Sequence, residues 1–250
     1  MSDLLRLITL SDSNTRTVLL GTLLLGAIGG AVGSFAVLRR RALACDTIAH
    51  AALPGIVLAF FLIGERNFPL FLLGAFIFGL LGIGCMVAIR AYTRIKEDAA
   101  MAIVLGGFFG LGIVLSHRAQ SLGGNKAGLD GFLFGKAASM ITSDVQLVSL
   151  VSAGCLMVLV LLFKEFKVLC FDREFAAAQG WPVLRLDLLL MALVATTTVV
   201  GLPAVGVVMM AALLIIPAAA ARFWTDRLGL MIFTAALIGA IGGTVGTALS

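Results

Sequence analysis

Asp46 and His50, in the stretch Asp46-Thr-Ile-Ala-His50, are the residues whose types and spacing point most directly to chemistry. Positions four apart share one face of a helix, so the carboxylate and the imidazole can approach the same ligand. With a helix starting near Ala42, Asp46 lies about 6 Å and His50 about 12 Å along it, inside an apolar run. A carboxylate at that depth is costly unless it meets a polar cavity or a partner, which makes both residues functional candidates. Carboxylate oxygen and neutral imidazole nitrogen together suit a borderline divalent cation, although two ligands do not fill a coordination sphere. The residues alone leave three readings open: part of an ion path, a bonded pair that locks two helices, or a proton relay. A relay needs further acids, and none is expected in a neighbouring apolar run.

Pro54 and Gly55 follow on the same run, where proline removes a backbone donor and predicts a kink or break. A break would expose carbonyls to a passing ion. Pro217, in Leu214-Ile-Ile-Pro217-Ala218, carries the same expectation, and shaping the bundle is an equal alternative for it. Glu65, His117 and Asp130 fall at the other end of the apolar runs and would suit an outer mouth that gathers cations, with an ordinary interfacial role as the simpler reading. A second chemical feature is the polar segment 164–185. There Asp172 is expected to cap a short helix over Glu174 to Gln179, ended by Gly180. Phe171, Phe175, Ala176 and Trp181 give that segment an apolar side, fit for docking a partner or for lying on lipid headgroups.

The elements that must position these residues are transmembrane helices. Of 250 residues, 61% are hydrophobic and 12% charged, and mean hydropathy is +1.13. A soluble domain carries roughly 25% charge, so too few polar groups exist for a water-facing surface. Apolar runs long enough to cross about 30 Å of hydrocarbon recur. They predict eight spans, at about 17–38, 42–64, 68–89, 99–116, 145–163, 186–200, 205–221 and 228–249. The fold class is therefore all-α, a polytopic helical bundle in one domain over 1–250, with the division between the sixth and seventh spans set near Val199 to Ala204. The stretch from Leu129 to Thr142 reads as a short interfacial or re-entrant helix. Strand-like alternation is absent, which argues against a barrel.

Twelve of the 18 lysines and arginines fall on one side of this topology: Arg39 to Arg41, Arg90, Arg94, Lys96, Lys164, Lys167, Arg173, Arg185, Arg222 and Arg227. That side is expected to be cytoplasmic, which places the N-terminus outside the cytoplasm. Cys45, Cys85 and Cys155 lie in apolar runs and Cys170 beside the polar segment; without a CxxC spacing they read as packing residues. A cleavable signal peptide is not expected at the N-terminus. Glycines four apart (Gly26 and Gly30, Gly29 and Gly33, Gly106 and Gly110, Gly239 and Gly243, Gly242 and Gly246) allow close helix crossings. Phosphate-cradling motifs and HExxH are missing, and nothing in the pattern points to nucleic acid.

Three stretches together resemble the membrane subunit of bacterial ABC-type importers for zinc, manganese or iron, the family called metal ABC permease type 3. They are Val37 to Gly55 with its Arg-Arg-Arg and Leu-Pro-Gly, Phe171 to Gly180, and Gly206 to Arg227, in the family's order. The resemblance covers essentially the whole chain. It implies a permease in the bacterial inner membrane, paired with a second copy or a close paralogue, with two cytosolic ABC ATPase subunits below and an extracytoplasmic metal-binding protein above. It implies that Asp46 and His50 meet the metal in the pathway, and that the element from Phe171 and Asp172 through Glu174, Phe175 and Gly180 transmits ATPase closure. It implies no enzyme activity and no permanent cofactor on this chain, the metal being cargo. Family members usually continue past the position matching Ser250 with another Pro/Gly-bearing connection and apolar helix, and this sequence departs from that pattern by stopping there. The readings outside the family are a secondary cation or small-solute transporter using the Asp–His pair, and a structural membrane scaffold.

Overall fold

The computed structural model describes residues 13–63, 68–121, 135 and 142–249. Among these the chain forms ten helices in order: α1 (Ser13–Leu38), α2 (Ala42–Ile63), α3 (Phe68–Tyr92), α4 (Glu97–Ser121), α5 (Thr142–Leu161), α6 (Phe163–Phe171), α7 (Arg173–Ala178), α8 (Val183–Val205), α9 (Val207–Trp224) and α10 (Leu228–Leu249). Eight of them are long and apolar enough to cross a membrane, as the sequence predicts. The exceptions, α6 and α7, form the polar segment between α5 and α8. The expected helix between Leu129 and Thr142 lies outside the described residues, apart from Gly135 and Thr142.

Helices α1, α2 and α8 occupy the centre, each with 67% of its most apolar window buried, while α4, α5 and α10 lie on the outside. Lipid offers no hydrophobic drive for helix association, so close backbone packing must supply it. It does so where α10 runs along α1: a Cβ at Gly26 would collide with the Gly239 carbonyl, and one at Gly30 with the Ala235 carbonyl. Gly33 approaches Leu214 of α9 in the same way, and Gly55 of α2 approaches Gly74 of α3. Gly106, Gly110, Gly242 and Gly246 have only open space where their Cβ atoms would stand. The paired glycines thus divide into an internal set and an uncovered set.

Two expectations about helix breaks are corrected. Pro54 and Pro217 sit inside unbroken α2 and α9; packed neighbours make an internal proline tolerable in a membrane bundle. The sixth span does not end between Val199 and Ala204 but continues through Pro203 to Val205. The chain turns instead at Gly206, whose φ of 81° and ψ of 169° belong to a region that essentially only glycine occupies. A bond from the Gly206 amide to the Leu202 carbonyl, 2.8 Å, closes α8.

Candidate functional site

Asp46 and His50 stand one turn apart on α2, with Nε2 of His50 3.4 Å from Oδ1 of Asp46. That separation exceeds a normal hydrogen bond, so the pair is close without being locked. Nδ1 of His50 is buried and has no hydrogen-bond partner. The imidazole also meets Phe109 of α4 edge to face, with centroids 4.9 Å apart and planes at 80°. Flanking residues Cys45, Ile48, Ala49 and Ala52 are fully packed into the bundle. The two polar side chains instead reach an open face, 36% exposed for Asp46 and 18% for His50. Gly106, Gly107 and Gly110, around Phe109, leave the adjoining α4 surface uncovered. Among the described residues no group of three or more His, Cys, Asp or Glu side chains could hold a metal.

The other sequence-selected residues do not join this pair. Gly55 serves the α2–α3 crossing. Pro217 lines a groove of about 480 Å³ between α9 and α10, with Met209, Leu213, Gly239 and Gly243, and neither Asp46 nor His50 lines it. His117 is exposed near the end of α4, whereas Glu65 and Asp130 lie outside the described residues. In the polar segment, Oδ1 of Asp172 accepts from the Phe175 amide at 2.8 Å and caps α7. Gly180, at φ 80°, follows the helix end as anticipated. Phe171 and Phe175 are 58% and 50% exposed while Ala176 is fully buried, so this short element keeps one apolar side outward. Glu174 is exposed beside them.

A cluster at the arginine-rich end was missed as a cluster. Oδ1 of Asp187, near the start of α8, accepts from Arg39 Nη2 at 2.8 Å and from Arg41 Nη1 at 2.9 Å. Arg39 Nη1 also donates to the Leu169 carbonyl of α6 at 3.0 Å. Arg41 Nε stands 2.6 Å from Oε1 of Glu97, whose Oε2 is 3.1 Å from Arg90 Nη1. Asp187 is 7% exposed, and it corrects the expectation that no second acid occupies a neighbouring span. Its carboxylate is committed to two guanidiniums rather than to a relay with Asp46. In the sequence these arginines register only as topological charges; the available signal was an acid buried in an apolar run, which demands a partner.

Eight membrane-length helices, one of which carries the Asp46–His50 pair on an open face, define a multi-pass helical membrane protein. The chain belongs to the ABC 3 transport family, matching it over residues 11–250. It is 48% identical to the manganese transport system membrane protein MntC of Bacillus subtilis (strain 168) over 242 residues, which are 96% of this chain and 56% of that protein. It is 44% identical to the zinc transport system membrane protein TroC of Treponema pallidum (strain Nichols), covering 96% of this chain and 81% of that one. The chain therefore spans little more than half the length of the Bacillus relative. Among solved structures, PsaBC from Streptococcus pneumoniae in complex with Fab superposes with a TM-score of 0.82 at 32% identity, covering 96% of this chain and 88% of the other.

Proposed function

We propose that this chain, as one permease domain, is the membrane-spanning subunit of an ATP-driven importer that passes a divalent transition metal into the cytoplasm by alternating access. The observation that carries the reading is the exposure of Asp46. A carboxylate 36% open on the side of a membrane-length helix cannot face acyl chains, because desolvating the charge without a partner costs several kcal/mol or more. Its face must meet a polar path or another protein surface. A second copy set against α2 and α4 would supply both, bringing two carboxylates and two imidazoles around one ion. Two negative charges offset a divalent cation, and a ligand set divided between moving subunits can open for release.

The arginine-rich end is the cytoplasmic one in this reading. There the outward Phe171 and Phe175, held by the Asp172 cap, form the surface on which an ATPase subunit docks, and segment 164–185 carries its closure to the helices. An extracytoplasmic binding protein delivers metal at the opposite end, the end that carries His117 and for which Glu65 and Asp130 are proposed as further cation-gathering groups. The relatives named for manganese and zinc transport support those two ions as cargo, with ferrous iron as the third candidate by ligand chemistry.

The test is ATP-dependent uptake of manganese, zinc and ferrous iron into proteoliposomes holding the permease, its ATPase and its binding protein. Uptake of one metal, lost in both Asp46→Ala and His50→Ala, is the expected result. An assembled complex that hydrolyses ATP and takes up none of the three metals would overturn the reading.

A further inference from the structure

The three consecutive arginines after α1 have different fates. The Arg40 amide bonds the Val37 carbonyl and the Arg41 amide bonds the Ala36 carbonyl, each at 2.9 Å, the crossed pair that closes a helix C-terminus around a left-handed residue. Arg40 is that residue, at φ 57°, and it is exposed. The reversal there turns its two neighbours inward instead, where their side chains are 11% and 5% exposed. Both reach the same oxygen of Asp187.

That oxygen joins parts of the chain distant in sequence. Through Arg39 it is tied to the Leu169 carbonyl, three residues before the Asp172 cap and its exposed phenylalanines. Through Arg41 it is tied to the head of α2 and to Glu97 at the head of α4. Arg41 precedes Asp46 by five residues, so a displacement at Arg41 enters α2 within about 8 Å of Asp46 and about 14 Å of His50 along the helix. Buried charge-assisted bonds of this kind hold geometry far more firmly than exposed ion pairs.

We propose that Asp187 is a positioning residue for transport: it makes the α6–α7 segment, the α1–α2 turn and the head of α2 move as one body, so that a push on Phe171 and Phe175 reaches Asp46 and His50. The inference rests on the import reading above and adds the residue that couples its two ends. A merely structural Asp187 would lower assembly, ATP hydrolysis and transport together. A positioning Asp187 lowers the metal imported per ATP hydrolysed.

The experiment compares wild type, Asp187→Asn and Asp187→Glu, each assembled with its ATPase and binding protein in proteoliposomes, with manganese and zinc as the probes. Asp187→Asn is expected to hydrolyse ATP within about twofold of wild type while importing about tenfold less metal per ATP, and Asp187→Glu to recover much of the loss. An unchanged ratio in Asp187→Asn, with wild type importing, overturns the clamp and leaves the import reading standing. A wild-type complex that hydrolyses ATP and imports neither metal overturns the import reading and the clamp's role with it. Should Asp187→Asn fail to assemble, wild type alone decides through Cys170, the residue beside Leu169. Its alkylation, followed by peptide mass spectrometry, should be equally slow in nucleotide-free and orthovanadate-trapped complexes. A rise of about tenfold on trapping means that the segment parts from the bundle during the cycle, which overturns movement as one body.

Discussion

Oδ1 of Asp46 and Nε2 of His50 are 3.4 Å apart on one face of α2, near enough to share an ion and too far apart to saturate each other. The partnerless Nδ1 of the same ring leaves further capacity unused. Replacing Asp46 by Asn keeps the shape and removes the charge. Cobalt(II), titrated into the purified assembled permease and followed by its visible absorption, should bind wild type and bind Asp46→Asn about 10- to 100-fold more weakly. Equal affinity in the two proteins would return the pair to a packing role.

The α1–α10 crossing is set by backbone against backbone, with no flexible side chain to give way at Gly26 or Gly239. Gly239→Ala should therefore destabilise the protein by about 1–3 kcal/mol through overpacking, read as a lower thermal midpoint in detergent. Gly154 on α5 has nothing within 4 Å of its would-be Cβ. Gly154→Ala should leave the midpoint unchanged or raise it by the equivalent of about 0.5–1 kcal/mol, the usual gain of alanine over glycine within a helix. A drop in Gly154→Ala as large as that in Gly239→Ala would show that crossing geometry is not the cause.

Hydropathy made the number and order of spans readable because any helix in hydrocarbon must be apolar along its length. It misplaced ends where helices continue beyond the apolar run: α4 starts at Glu97 and ends at Ser121, and its first residue pairs with Arg41 and Arg90. The break at Gly206 was hidden by Pro203, the stronger punctuation on paper, because tertiary packing tolerates a proline that an isolated helix would reject. Asp46 and His50 were legible from spacing because i,i+4 geometry is local. The Asp187 cluster was not, since it joins residues 146 to 148 positions apart and no periodicity encodes that meeting.

Cys170 of α6 carries a prediction about pH. Burial pushes its thiol up from an ordinary 9.0 to about 12, with Arg39 pulling it down and Asp187 adding to the rise. The folded protein thus keeps the neutral thiol where the unfolded chain has begun to release the proton. The stabilising contribution is complete below about pH 9 and is lost as pH climbs towards 12. At pH 8 the thiolate is scarce, so maleimide should modify Cys170 about a hundredfold or more slowly than free glutathione, with a rate still rising with pH above 9. A plateau near pH 9 would mean that the thiol is solvated and that the helices packed against α6 do not cover it.

Asp172 tests whether the outward face of α7 depends on its cap. The helix is only six residues long, too short to persist by its own hydrogen bonds. Its first turn is anchored by the 2.8 Å bond from the Phe175 amide to the Asp172 carboxylate. Beyond that bond, buried Ala176 is what fastens the helix to the bundle. Losing the cap costs about 0.5–2 kcal/mol, a modest share of the whole fold and a large share of one short helix. Asp172→Ala should accordingly leave the global thermal midpoint nearly unmoved while amide hydrogen exchange at Phe175 and its neighbours accelerates by about 2- to 30-fold. Asp172→Asn, which keeps an acceptor oxygen, should retain most of the protection. With α7 frayed, Phe171 and Phe175 lose their fixed spacing, so in the assembled complex Asp172→Ala should also weaken binding of the ATPase subunit where Asp172→Asn does not. Equal exchange in wild type and Asp172→Ala would show that Ala176 alone holds the element, and that the phenylalanine pair is positioned without the cap.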